Sequence, residues 1–165
     1  QGVTDLGADV IRWARERNML IDLAHMNPPT FDNVLDIVDE PVIISHGNAR
    51  GLVDTNRNYT DAQIRAIADT GGLVGVFFSA KNLGGNPQIQ DILKQIDYIR
   101  SVVGIEHVAV GTDFGGLLGD PVAGLKQIRQ LPDLWNALAD YGFGNEAIKK
   151  VASENAARVL ADVLP

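Results

Sequence analysis

The chain contains no cysteine. Disulfides and thiolate metal sites are therefore excluded, and any metal must be held by histidine or carboxylate. No apolar run reaches the length of a membrane span. No block of Lys or Arg stands out against a net charge of −7, so neither nucleic acid nor an anionic membrane surface is an expected partner. Neither glycine-rich phosphate fingerprint is present: no G-x-G-x-x-G and no Walker loop follows any apolar run. The N-terminus does not read as a secretory leader, and the final ADVLP carries no hydrophobic anchor signal. With the lack of cysteine, this gives a cytoplasmic expectation. Gln1 is not an initiator methionine, and the expectation is a chain that was processed, trimmed or cut from something longer. Histidine is scarce, three residues in 165, which makes the position of each one informative.

What is present is an ordinary globular composition, 45% hydrophobic and 21% charged. No linker, low-complexity tract or charge block divides it, so residues 1–165 read as a single domain. Four short apolar runs have the length and bounds of buried strands: Met19 to His25, Val42 to Ile44, Leu73 to Phe78 and His107 to Gly111. Helical patterns separate them. Residues 5 to 17 put Leu6, Val10, Trp13 and Ala14 on one face, and Pro28-Pro29 opens a second helix through FDNVLDIVDE. Thr60 and Gln63 have capping-box spacing for a third helix that ends at Gly71-Gly72. A longer helix carries Ile89, Ile92, Ile96, Ile99 and Val103 and stops at Gly104. LPDLWNALADY, closed by Gly142, and NEAIKKVASENAARVLADVL complete a helical tail. Strands separated by helices make βα units and a parallel sheet. A (β/α) barrel and a doubly wound sheet both satisfy that rhythm.

Polar residues gather just past the ends of three of these runs, at His25, His46 and Asp113. In a barrel those ends share one mouth, where barrel active sites lie. Four units are half of an eight-unit barrel, and a half barrel leaves two sheet edges open. A completing partner is expected. Histidines on consecutive strands can reach one metal, and neutral imidazole suits zinc. Asp113 could ligate, act as general base toward a metal-activated water, or simply shape a turn. His107, at the start of its strand, reads as structural. Asp22 lies inside an apolar run and needs a partner, either as support for a ligand or as a packed hydrogen-bonded aspartate. Arg57 offers a fork for a carboxylate, or is a solvated loop arginine, and Arg50 shares its loop. The residues alone lead to a barrel-type metallohydrolase.

Several stretches together resemble the membrane (renal) dipeptidase family of zinc metallopeptidases. They are IDLAHMNPPTFDNVLDIVDEPVIISHGNAR, NRNYTDAQIRAIADTGGLVGVFF, GIEHVAVGTDFGG and the tail from Gly124 to Leu160. The resemblance covers nearly the whole chain and rests on the elements D-L-A-H, P-V-I-x-S-H, R-N-x-T-D and G-x-D-F in order. It implies an α/β fold, a (β/α)8 TIM barrel to which this chain supplies roughly the last four βα units plus C-terminal helices. It implies hydrolysis of dipeptides by metal-activated water at a two-zinc site. By matching motif, His25 and His46 would be ligands of one zinc, Arg57 would hold the substrate's C-terminal carboxylate, and Asp113 would handle protons. The family's other ligands, a His-x-Asp pair and a bridging glutamate, belong to an N-terminal half that this sequence does not contain. That half, from the same parent chain or a separate polypeptide, is the expected partner beside the dipeptide, and a homo-oligomer is open. The family's Asp-Phe-Asp-Gly is here Asp113-Phe114-Gly115-Gly116, which bears on substrate preference. Two alternatives stand beside this reading: another barrel metallohydrolase of deaminase or lactonase type, and a non-catalytic fragment or subunit acting by association.

Overall fold

The computed structural model describes residues 2–117 and 122–165; the end of the TDFGGLLGDP loop lies outside the described residues. Helix α1 spans Asp5–Arg15, with Thr4 accepting the Gly7 N–H at its start and Arg12 and Arg15 in its last turn. α2 spans Pro28–Leu35 behind an Asn27 cap, its prolines filling first-turn positions that need no donor. Strand β1 is Ile43–Gly47, α3 is Asp61–Asp69, β2 is Leu73–Val76, α4 is Ile89–Val103 and β3 is Val108–Val110. The tail holds α5 (Leu131–Tyr141), α6 (Asn145–Lys149), a wide π turn at Lys150–Glu154, and α7 (Asn155–Val163).

The three strands form one parallel sheet in the order β1-β2-β3. Alternation sends Ile44, Val74 and Val108 to one face, where they are buried with Ile64 and Ile67 of α3 and Ile92, Ile96 and Ile99 of α4. The opposite face is covered near the strand starts by α7, whose Val159 packs on Leu73 and Ala109. Buried Asn155 donates from Nδ2 to the carbonyls of Ile105 (2.7 Å) and Val108 (2.8 Å), and Arg158 donates to Gly71 O (2.7 Å). The tail is thus stapled to the entry of β2 and β3. His107 belongs to the same seam: its Nδ1 donates to Gly72 O at 2.7 Å, the structural role its position suggested.

One expectation needs correction. The run Met19 to His25 is not a full strand but an isolated parallel bridge at Asp22 to Ile43. Leu23 N and Ile21 O still bond Ile43, but beyond them the Asp22 carboxylate replaces the backbone acceptor. Its Oδ1 takes the Ser45 N–H (3.0 Å) and the Ala24 N–H (2.9 Å), and the chain then turns at His25, φ 68°. Asp22 is exposed at the sheet edge rather than buried, and it is the hydrogen-bonded aspartate of the two readings. In α1 the shared apolar face is turned to the outside. The helix forms where its period places it, but Leu6 (73% exposed), Val10 (56%) and Trp13 (50%) face outward. Val3 and Ile11 touch the core instead, and Arg15 clasps Glu40 and the Ile37 carbonyl. No helix among the described residues is long and apolar enough to cross a membrane.

Candidate active site

β1 and β2 lose register between Ile44 and Gly47, at Ser45 and His46. There the Ser45 carbonyl leans across the sheet, and glycines on the next two strands admit it. A Cβ on Gly75 would stand 2.2 Å from Ser45 O, and one on Gly111 would stand 1.9 Å away. This backbone-on-backbone packing sets the ledge from which His46 projects. Opposite it, His25 is held with positive φ. The two Nε2 atoms lie 3.0 Å apart, with the ring planes at 61°. A tetrahedral zinc bound to two ring nitrogens spaces them about 3.3 Å apart, so the pair fits that ion. Ser45 Oγ lies 2.9 Å from His46 Nδ1 and orients the ring from behind. Burial lowers the His46 pKa, and the Arg57 charge lowers it further, against the opposing fields of Asp113 and Asp22. The neutral imidazole that a metal requires is the favoured form. Among the described residues, no group of three or more His, Asp and Glu side chains gathers around one point.

Arg57 approaches from the loop after β1. Its Nη2 donates to His46 O (3.4 Å), its Nη1 to Tyr59 Oη (3.3 Å), and its guanidinium lies 5.6 Å from the Phe77 ring centre. It forms no ion pair among the described residues, whereas Arg50 pairs with Asp54 (3.7 Å) and Thr55 O. Of the two loop arginines, Arg57 alone offers a fork to a carboxylate. Asp113 follows β3 with φ 55° and lies in the same open cleft of 830 Å³ as His25, Arg57, Phe77 and Lys81. Gly116 gives that carboxylate room, since a Cβ there would meet Asp113 Oδ1 at 2.4 Å.

A sequence pattern for the membrane dipeptidase family (peptidase family M19) matches residues 1–164. The chain belongs to this family. Among curated relatives, a Klebsiella pneumoniae protein described only by its place in the pqqA 5′ region is 36% identical over 98% of this chain and 61% of its own length. A dipeptidase of Schizosaccharomyces pombe is 31% identical over 96% of this chain and 40% of its own. The chain therefore spans about half the length of such relatives. Among solved structures, the family M19 metallopeptidase called dipeptidase AC superposes with a TM-score of 0.94 at 27% identity, over 99% of this chain and 49% of that one. A Rhodobacter sphaeroides metallopeptidase, liganded with a phosphinate mimic of the dipeptide L-Ala-D-Ala, gives the same score and identity over 48% of its length.

The dipeptidase-family fold thus brings His25, Arg57 and Asp113 to one cleft from separate segments, with His46 set against two of its lining residues, His25 and Phe77. Sequence reasoning missed three residues that support them. Phe77 packs edge-on to His46 at 5.0 Å while underlying Arg57. Asn48, fully buried, fixes Phe77 by accepting its N–H (3.0 Å) and donating to its carbonyl (2.9 Å). Tyr59 is buried beneath Arg57. The available signal was Asn48: a polar amide directly after an apolar strand, which needs partners if buried.

Proposed function

We propose that this chain forms the C-terminal half of a (β/α)8 barrel metallo-dipeptidase and carries half of its zinc site. The observation that carries the reading is the convergence of His46 on His25, which shares one cleft with Asp113 and with an Arg57 that has no ion pair among the described residues. The L-Ala-D-Ala mimic in a structure with a TM-score of 0.94 supports a dipeptide as substrate. His25 and His46 would hold one zinc through their Nε2 atoms. Zinc bound there supplies carbonyl polarisation and a nucleophilic water at neutral pH. Arg57 clamps the terminal carboxylate, which fixes the peptide bond relative to the histidines and limits substrates to short peptides. Asp113 takes the proton of the attacking water and returns it to the leaving amine. The remaining ligands come from the other barrel half, which also covers the open sheet edges.

The test is Arg57→Ala in the complete, zinc-loaded protein. KM for a dipeptide should rise about a hundredfold, the order expected for a charge-assisted bidentate contact. A C-terminally amidated dipeptide should show no comparable change. Equal losses on both substrates would remove the carboxylate role, and turnover of lactones or amidines in place of dipeptides would favour another barrel hydrolase.

A further inference from the structure

The Tyr59 phenol sits where three site elements meet. Its oxygen accepts from Arg57 Nη1 (3.3 Å) and donates to Leu23 O (3.2 Å), two residues before His25. The ring reaches this place across Gly47: a Cβ on Gly47 would stand 2.5 Å from Tyr59 Cε2. The backbone is fixed as well, since Tyr59 N donates to Asn48 O (2.8 Å) and Arg50 N donates to Tyr59 O (2.7 Å). The side chain is only 4% exposed. Burial pushes the phenol pKa up, against the neighbouring Arg57 charge, so the group is a neutral hydroxyl at physiological pH and both hydrogen bonds keep their sense.

We infer that Tyr59 is a positioning residue for substrate recognition: its hydroxyl ties the Arg57 fork to the segment that carries His25, and so sets the span between the carboxylate clamp and the metal ligand. That span decides which peptides place their scissile carbonyl correctly. Three supports hold the guanidinium, namely Tyr59 Oη, His46 O and the Phe77 face. Only the first comes from a side chain whose polar atom can be removed with the packing left in place. The sequence element Arg57-Asn58-Tyr59-Thr60-Asp61 gave no hint of it, because Tyr59 occupies the position that the R-N-x-T-D pattern leaves open. The inference rests on the dipeptidase reading of Arg57.

The test is Tyr59→Phe in the complete, zinc-loaded protein, alone and combined with Arg57→Ala. For a dipeptide with a free terminal carboxylate, the single variant should raise KM about five- to tenfold, the scale of one hydrogen bond to a charged group, with kcat within about twofold. The amidated dipeptide should be unaffected. Calorimetry with a dipeptide phosphinate and its terminal amide gives a readout apart from turnover: the acid should bind about five- to tenfold more weakly, and the amide unchanged. In the Arg57→Ala background, Tyr59→Phe should add nothing to either measurement. A loss that falls equally on acid and amide, or that persists without Arg57, would make Tyr59 a packing residue and overturn the inference. If Arg57→Ala is selective for the acid and Tyr59→Phe is not, the inference alone falls. If Arg57→Ala is itself unselective, both fall together.

Discussion

At the scale of single residues, the site is marked by backbone conformation as much as by side-chain chemistry. His25 and Asp113 both hold positive φ, 68° and 55°, a region that L-residues rarely occupy and that aspartate and asparagine tolerate best. Substitution at Asp113 should therefore use asparagine, which keeps the turn and removes only the carboxylate. Asp113→Asn should lower kcat by about a hundredfold or more, the usual contribution of a general acid–base group, while zinc content measured by elemental analysis stays the same. Loss of zinc in that variant would make Asp113 a ligand instead. His25, His46 and Asp113 were legible in the sequence because each closes an apolar run, and strand ends are where parallel α/β folds display polar groups. Phe77 and Tyr59 were not. Their value comes from contacts with Arg57, His46 and Leu23 that depend on loop geometry, and an aromatic residue in such a run reads as core.

At the scale of elements, local rules carried far. The Thr60–Gln63 capping box formed, and Gly104 and Gly142 close α4 and α5 with positive φ. What local rules could not supply was the partner on the other side. The Met19–His25 run has a strand's composition but lies at the sheet edge and spends its ladder on the Asp22 carboxylate. The α1 stripe has the right period but finds no described neighbour. Nor did any pattern announce the crossing of Ser45 O over two strands, which only the glycines permit. Gly111→Ala tests that crossing. The added methyl meets the Ser45 carbonyl and Gly75 backbone, so no flexible side chain can yield. Strand β3 must retreat, carrying Asp113 with it. Thermal denaturation should show a loss of about 1–3 kcal/mol, the overpacking range, with a fall in activity beyond it. Gly144→Ala serves as the control, because nothing lies within 4 Å of its added methyl and its φ is −70°. Equal effects at the two positions would deny the ledge its role.

At the scale of the whole molecule, the described residues hold two convergent histidines, open sheet edges and an outward apolar stripe on α1. Native mass spectrometry of the purified protein reads assembly and metal together. We expect a species carrying the remaining barrel units and two zinc ions. The 165-residue chain by itself should bind zinc weakly, as two imidazoles are one ligand short of a usual catalytic site. Tight zinc binding and dipeptide turnover by that chain alone would contradict the shared-site reading.

The Asn48 amide presents one donor and one acceptor to the backbone of Phe77, so a side chain imitates one more rung of β-ladder above the point where β1 has bulged. The wall of the cleft from Ser79 to Asn82 thus hangs from a fixed hook just before it begins. That wall is also tied back to the loop that carries Arg57, since the Asn82 carbonyl accepts from Asn58 Nδ2 at 3.0 Å, so a change in its length would be felt at Asn58 while Phe77 stays hooked beside His46.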